Sequence, residues 1–402
     1  MTVLLTNARV VTTDEVLDPG WIEVAGDRIR ALGPGPAPTA AAAEDSEQPA
    51  RAETGDVWDL AGNVVVPGFV DTHVHGGGGG SYLSATPDDT ARVVRFHRSH
   101  GTTTTFASLI SAPREELERQ VAALVDLVGD EWIAGIHLEG PWISEARRGA
   151  HDPHVLRPPT QDEVSRLLSL GTGTITMVTL APELPGGLEA VRQVVDAGAV
   201  AAVGHSDATY DVVLAAVEAG ATVGTHLFNG MPPLHHRAPG PVGALLHDPR
   251  VTVELIADGV HLHPGAVELA VRAAGIDRVS LVTDAMAAAG VGDGRYELGG
   301  QEVEVVAGVA RLAGKDSIAG STLTMDAAFR FVVREVGLSL PEAARIAATT
   351  PARTFGLTDV GAIRPGYLAD LVVLDSDLAV AAVMRRGTWE AEPTVDRESE
   401  TN

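Results

Sequence analysis

The sequence contains no cysteine, a single lysine and no long uninterrupted apolar run. Without cysteine there is no disulfide framework, no thiolate metal site and no cysteine nucleophile, so histidine, aspartate and glutamate must hold any metal. A membrane span needs about 18 or more consecutive apolar residues, and no such run occurs. The opening segment also lacks the basic and apolar regions of a signal peptide. We therefore expect a cytoplasmic protein with no membrane partner.

Positive charge is also scarce. The chain has 29 basic and 54 acidic residues, and its formal net charge is −25. Nucleic acids and anionic membranes attract proteins of the opposite sign, so neither is expected as a partner. A small anionic ligand remains possible, because a local cluster of basic side chains can outweigh the net charge.

Eight short apolar or β-branched segments recur along the chain, and most alternate with amphipathic helical segments. This order is typical of a (β/α)8 barrel, in which the carboxyl ends of the strands carry the chemistry. We predict an α/β protein with a TIM-like barrel. The predicted barrel strands are residues 68–75, 102–108, 133–139, 174–183, 200–206, 222–229, 251–258 and 279–285.

Both ends of the chain have β character outside this barrel. Residues 361–377 return to strand-like sequence and are expected to pair with the N-terminal strands, so that both termini build a small β-sandwich domain. The predicted parts are residues 1–63 with a flexible loop at 34–55, the metal-dependent barrel at 64–358, the C-terminal part of the sandwich at 359–390, and a disordered tail at 391–402.

Histidines and carboxylates stand at the ends of the predicted barrel strands. His73 and His75 share one face of the first strand, because side chains alternate along a strand. Four further strands end in side chains with the same chemistry, which suits zinc or a similar divalent ion. These are Glu139, His205, His226 and Asp284.

Other chemistry-bearing residues are assigned structural roles. His137 precedes Glu139 by two residues, so it faces the same way one layer deeper and is expected to support a ligand. His97, His100 and His247 lie on or beside predicted helices. The run of glycines at 76–80 lacks the lysine and serine or threonine of a phosphate loop, and we expect it to leave room for ligand and backbone to approach closely.

The segments "DTHVHG", "HLEGPWI", "GHSDA", "THLFNGM", "ADGVHLHP", "LVTDAM" and "IAGSTLTM" occur in this order along nearly the whole chain. This set resembles the N-acetylglucosamine-6-phosphate deacetylases of the amidohydrolase superfamily. The resemblance implies a TIM-like barrel, a flanking β-sandwich and a homodimer. It also implies a hydrolase that removes the acetyl group from N-acetyl-D-glucosamine 6-phosphate.

The resemblance assigns roles to particular residues. Glu139, His205 and His226 hold the main metal, while His73 and His75, with Asp284, allow a second. Zinc is expected, at one or two ions per chain, with iron, cobalt or manganese as alternatives. The implied substrate contacts are Ala150, His151, Asn229, Gly230, Arg237, His261, Ile318, Ala319 and Gly320.

The chemistry of amide hydrolysis agrees with these roles. A metal ion activates water, Asp284 takes its proton and returns one to the leaving amine, and His151 stabilises the developing oxyanion. Arg237 is expected to bind the 6-phosphate through two parallel hydrogen bonds. His235 and His236 are not expected to contact the substrate.

Two alternatives remain open at this stage. A deacetylase of N-acetylgalactosamine 6-phosphate, or another N-acyl amidohydrolase, would share these motifs. A barrel that binds a sugar phosphate without catalysis is a more distant possibility, and it would not need the acid Asp284.

Overall fold

A computed structural model describes residues 2–38 and 55–393. Most of the predicted loop 34–55 and the predicted tail from 394 onward therefore lie outside the described residues. Contacts divide the chain into two compact units. The first comprises Met1–Val70, Arg98–Thr103 and Gly337–Asn402, and the second comprises Asp71–His97 and Thr104–Val336.

The first unit opens with three antiparallel strands, as predicted. Two short strands then run parallel to the first of them, one beside each half of its length. The five strands are β1 (Thr2–Val11), β2 (Val16–Ala25), β3 (Arg28–Pro34), β4 (Asp56–Asp59) and β5 (Val64–Pro67).

The sheet of the second unit has eight parallel strands, and each predicted barrel strand overlaps one of them. The strands of this region are β6 (Phe69–Asp71), β9 (Thr102–Ile110), β10 (Gly135–Glu139), β11 (Ile175–Leu180), β12 (Val200–Val203), β13 (Val223–Gly224), β14 (Thr252–Leu255) and β15 (Val279–Leu281), with a small hairpin of β7 (Gly76–Gly77) and β8 (Gly80–Ser81) after the first. The order β15-β14-β13-β12-β11-β10-β9-β6 confirms the predicted (β/α)8 fold.

Side chains and backbone link the two ends of this sheet. The Thr283 hydroxyl donates to Asp71 Oδ2 at 2.6 Å. The backbone N–H of Asp284 donates to the carbonyl of His73 at 2.8 Å. These bonds hold the loop after β15 against the loop after β6, which brings two of the predicted metal-binding segments together.

Helices follow most of the barrel strands. They are α1 (Pro87–Ser99), α2 (Arg114–Gly129), α3 (Gln161–Leu170), α4 (Gly187–Asp196), α5 (Tyr210–Glu218), α6 (Gly240–His247) and α7 (Pro264–Ala274). In α2 the buried residues Leu117, Val121 and Leu124 recur at helical spacing, so one face packs inward. No helix in the described part of the chain is long and apolar enough to cross a membrane.

The remaining elements follow the eighth barrel strand. They are β16 (Gly294–Leu298), β17 (Gln301–Val306), β18 (Val309–Leu312), α8 (Met325–Arg334), α9 (Leu340–Ala344), a π-helical turn at Arg345–Thr349, α10 (Thr350–Thr354), β19 (Leu371–Leu374), β20 (Val380–Arg385) and β21 (Thr388–Ala391). β16–β18 form a separate three-stranded antiparallel sheet. β19 pairs antiparallel with β5, so both termini contribute to one sheet as predicted.

By contacts, residues 337–358 group with the terminal strands, whereas the sequence interpretation counted them with the barrel. A hydrogen bond contributes to this grouping, since Arg345 donates to the carbonyl of Thr13 at 2.6 Å.

Candidate metal centre and substrate cavity

The predicted metal ligands converge in the structure, and all of them are buried. Each follows or ends a barrel strand, so the strands set their position and the loops their orientation. Three groups of side chains place their ligand atoms within 4.8 Å of one another. The groups are His73–His75–Asp284, His73–Glu139–His226 and Glu139–His151–His205.

Glu139 and two histidines form the tightest of these arrangements, which we call the first cluster. Glu139 Oε1 lies 3.0 Å from both His205 Nε2 and His226 Nε2. The two nitrogens are 3.1 Å apart. Ligand atoms of a tetrahedral zinc site with bonds of about 2.0–2.1 Å are separated by roughly 3.3 Å. The donor set and its spacing therefore fit a divalent ion.

His73, His75 and Asp284 form a second cluster next to the first. His75 Nε2 lies 3.2 Å from Asp284 Oδ1 and 3.2 Å from His73 Nε2. Glu139 Oε2 is also 3.2 Å from His75 Nε2. The two oxygens of Glu139 thus face different clusters, which places this carboxylate where it can bridge two ions.

Backbone hydrogen bonds fix which ring nitrogen is free in three histidines. A carbonyl can only accept, so His75 Nδ1 donates to Ser108 O at 3.1 Å and His205 Nδ1 donates to Arg147 O at 2.7 Å. Both rings then present an unprotonated Nε2 to the clusters when neutral. In His151 the relation is reversed, because the N–H of Ser111 donates to Nδ1 at 3.4 Å and leaves the proton on Nε2.

The position of the ring proton distinguishes histidines that can bind a metal from a histidine that can donate a hydrogen bond to the substrate. Neutral His75 and His205 offer lone pairs, whereas neutral His151 offers an N–H. Burial lowers the pKa of His151 to about 4, so the ring is neutral at physiological pH. We therefore assign His151 to the substrate and not to the metal, although its Nε2 lies 3.5 Å from Glu139 Oε2.

The ionisable groups of the site change one another's pKa values. Burial opposes the charged form of every group, but the carboxylates outweigh it and raise the pKa of His73 well above its ordinary value and that of His75 to about 9. Burial likewise opposes ionised Asp284, yet the neighbouring histidines hold its pKa at about 2. Protons on His73 and His75 occupy atoms that a cation would use, so metal binding must release them.

Three site residues adopt the left-handed backbone region. The φ angles are 47° at His205, 27° at His226 and 50° at Asp284. Such conformations cost about 1–3 kcal/mol each in a residue with a β-carbon, and they cluster at functional sites. Here they turn the side chains out of the strand direction and toward one point.

The clusters open into a cavity of about 240 Å³. Seven of the nine predicted substrate contacts line it, namely Ala150, His151, Asn229, Gly230, His261, Ile318 and Gly320. Ala319 is instead fully buried in a hydrophobic cluster. Arg237 lies outside the cavity wall on an exposed loop, where its guanidinium is 2.7 Å from His236 Nε2.

Gly230 leaves space beside His205 in the cavity wall. Its φ is +61°, and a β-carbon there would lie 2.8 Å from His205 Nδ1. Glycine at this position therefore leaves His205 free to keep its bond to Arg147. By contrast, none of the glycines at 76–80 lines the cavity. The expected close approach of backbone is present, since a β-carbon at Gly76 would lie 2.5 Å from the carbonyl oxygen of Gly80. The expected approach of a ligand is not supported, because Gly77 packs against Phe96 and His97.

Two histidines have the supporting roles that were predicted. His137 Nδ1 is 2.9 Å from Ser108 Oγ, and its Nε2 is 2.8 Å from Thr179 Oγ1. With both nitrogens occupied by hydroxyl groups, His137 supports the site and does not ligate. His97 bonds to Gly76 O at 2.9 Å and anchors the glycine hairpin.

Several residues that hold the site in place were not predicted from the sequence. Ser111 contacts His151 Nδ1 through its hydroxyl at 2.8 Å, and Asp258 accepts from His261 Nδ1 at 2.7 Å. Ile110, Gly149, Leu298 and Ser317 also line the cavity. A polar residue just after a barrel strand is a usable signal for Ser111 and Asp258. No sequence signal identifies Leu298.

Residues 64–390 match the model of the amidohydrolase family. The chain is 36% identical over 392 residues to N-acetylgalactosamine-6-phosphate deacetylase from Escherichia coli O157:H7, covering 96% of this chain and 99% of the relative. It is 36% identical over 340 residues to N-acetylglucosamine-6-phosphate deacetylase from Lysinibacillus sphaericus, covering 83% and 87%.

A solved structure gives a higher identity. The N-acetyl-D-glucosamine-6-phosphate deacetylase of Mycobacterium smegmatis, an aspartate-to-alanine mutant in complex with N-acetyl-D-glucosamine-6-phosphate, is 51% identical with a TM-score of 0.90. The match covers 96% of this chain and 99% of that one.

Proposed function

This chain belongs to the amidohydrolase family, and from that premise we propose that it hydrolyses N-acetyl-D-glucosamine 6-phosphate to D-glucosamine 6-phosphate and acetate. One observation carries the proposal. Carboxylates and imidazole nitrogens suited to a divalent ion meet a histidine N–H donor at the floor of a cavity lined by seven predicted substrate contacts.

The first cluster would hold the principal ion through Glu139, His205 and His226. Zinc fits its two nitrogens and one oxygen, and iron, cobalt or manganese are alternatives. A bound ion supplies Lewis acidity, which polarises a carbonyl and lowers the pKa of coordinated water to about 7.

Asp284 is proposed as the proton carrier. Its carboxylate is ionised at neutral pH, since its pKa is held at about 2. As water oxygen attacks the amide carbon, Asp284 accepts a proton from that water. It then delivers the proton to the nitrogen as the carbon–nitrogen bond breaks, which yields acetate and a free amine.

His151 is proposed to stabilise the charge that develops on the carbonyl oxygen. Because its Nδ1 accepts from Ser111, its Nε2–H is available to the substrate. This donor is neutral and already oriented, so it can strengthen its bond as negative charge builds up.

The 6-phosphate is proposed to be recognised by Arg237, which lies outside the cavity of its own chain and would reach the site of a second copy of the chain. We expect Arg237→Ala to lower kcat/KM for the phosphorylated sugar about 10–100-fold, since a hydrogen bond to a charged group contributes about 1.5–3 kcal/mol. The unphosphorylated sugar should lose little. Arg272→Ala, on an exposed part of α7, is a matched control. Equal losses on both sugars would make Arg237 structural.

His73 and His75 are proposed to hold a second ion together with Asp284. We expect His73→Ala to lower the metal content of reconstituted protein from about two ions to about one, because it removes a nitrogen from the second cluster and keeps Glu139, His205 and His226. Elemental analysis measures this. His154→Ala is the control, since the His154 side chain is 87% exposed. A stoichiometry of one, unchanged in His73→Ala, would contradict a second site.

The galactose epimer is the second candidate substrate, favoured by the full-length match to the Escherichia coli relative. The experiment is a comparison of kcat/KM for the two N-acetylhexosamine 6-phosphates by release of amine. We expect a preference for the glucosamine epimer, and a higher kcat/KM for the other would reverse the assignment.

We also propose that the enzyme acts as a cytoplasmic homodimer. Leu234 and Val260 are 47% and 45% exposed and stand in the segments that carry Arg237 and His261. A second copy of the chain covering these apolar side chains would bring its own residues near the cavity mouth. Light scattering of the purified protein measures the oligomeric state.

A further inference from the structure

Glu254 is a buried carboxylate to which the proposed mechanism gives no role. It stands in β14 between apolar neighbours and is 1% exposed. Burying an ionised carboxylate is costly unless hydrogen bonds or opposite charges compensate. One oxygen is satisfied, since Glu254 Oε1 accepts from the Thr72 hydroxyl at 3.1 Å.

The other oxygen faces His73. Glu254 Oε2 and His73 Nδ1 are both buried and have no hydrogen-bond partner, and they lie 3.5 Å from each other. Across residues 2–38 and 55–393, His73 is the one basic side chain within 4.0 Å of Glu254. Two unpartnered atoms of complementary chemistry therefore stand opposite each other behind the second cluster.

We propose that Glu254 is a positioning residue that keeps the proton of His73 on Nδ1. A carboxylate only accepts hydrogen bonds, so the ring nitrogen that faces it must carry the proton. His73 Nε2, on the opposite side of the ring, then presents its lone pair to the second cluster. This inference rests on the second metal of the proposed function.

The partner of His73 differs from those of its neighbours. Backbone carbonyls orient His75 and His205, whereas His73 faces a carboxylate. A carboxylate adds negative charge behind the ring and makes the imidazole a stronger ligand. Glu254 should therefore raise the affinity of the second cluster without affecting the first.

The test is a titration of metal-free protein with Zn²⁺ by calorimetry, in wild type and in Glu254→Gln. Glutamine keeps the size and a weaker acceptor but removes the charge. We expect the second ion to bind about 10–100-fold more weakly, as is typical when a partner behind a ligand is lost, while the first ion binds as before.

Two further variants make the result specific. Glu163→Gln neutralises another glutamate that is 1% exposed, in α3, where it pairs with Arg114 and Arg157. It reports the cost of losing any buried carboxylate and should leave both zinc affinities unchanged. In His73→Gln the second ion should not bind, with or without Glu254→Gln, because the effect of Glu254 passes through the His73 ring.

Three results would overturn the proposal. They are wild-type affinity for both ions in Glu254→Gln, equal weakening of both ions in that variant, and a wild-type protein that binds one ion only. Amine release by the wild type is measured separately, so failure of this inference is distinguishable from failure of the proposed function.

Discussion

Asp284→Asn is expected to keep the ion of the first cluster and to bind sugar phosphate, yet to turn over about 10²–10⁴-fold more slowly than wild type, the range typical of losing a general acid–base group. Asparagine keeps the size of the side chain and an oxygen that can face His75 Nε2, which lies 3.2 Å from Asp284 Oδ1. It cannot accept the proton of the attacking water. The measurement is kcat for amine release, with metal content determined on the same sample.

Asp293→Asn is the matched control for this variant. Asp293 is exposed, does not line the cavity, and accepts hydrogen bonds from the N–H groups of Ala307 and Gly308. It should retain wild-type kcat. A near-native kcat in Asp284→Asn would remove Asp284 from the proton transfers. A loss that merely parallels a loss of metal would restrict it to ligation.

His205→Ala should lose the ion of the first cluster and activity together. Its Nε2 lies 3.0 Å from Glu139 Oε1 and 3.1 Å from His226 Nε2, so its removal leaves two ligands where a stable zinc site has at least three from the protein. We expect metal at this cluster to fall from about one ion to near zero, and amine release to fall below detection.

Elemental analysis after dialysis measures this loss, and thermal unfolding shows whether the variant is folded. His154→Ala again serves as the control on an exposed histidine. A folded His205→Ala protein that retains a full complement of metal would contradict the assignment of the first cluster.

The alternation of strands with helices was enough to predict the barrel and the convergence of six side chains. In a parallel barrel all strands end on one side, so His73, Glu139 and His226 had to meet once their strands were identified. The pairing of β19 with β5 was likewise predictable. The eight barrel strands were already assigned, so the strand-like sequence after them was expected to pair with the N-terminal strands.

The orientation of individual histidine rings could not be predicted from the sequence. His151 and His205 both lie near Glu139, yet one presents an N–H and the other a lone pair, because Ser111 N–H faces the first and Arg147 C=O the second. Such differences depend on loop geometry, which residue types do not encode. The glycines at 76–80 show the converse error, since small residues serve tight packing as well as ligand access.

Whether hydrolysis of the acetamide bond depends on the metal can be measured in a single experiment. Amine release from N-acetyl-D-glucosamine 6-phosphate is followed with the protein as purified, after removal of its metal, and after Zn²⁺ is restored. We expect activity to disappear with the metal and to return in proportion to the zinc bound, since Glu139, His205 and His226 offer their lone pairs to one point. Undiminished release by the metal-free protein, or no release by the zinc-loaded protein, would contradict this expectation.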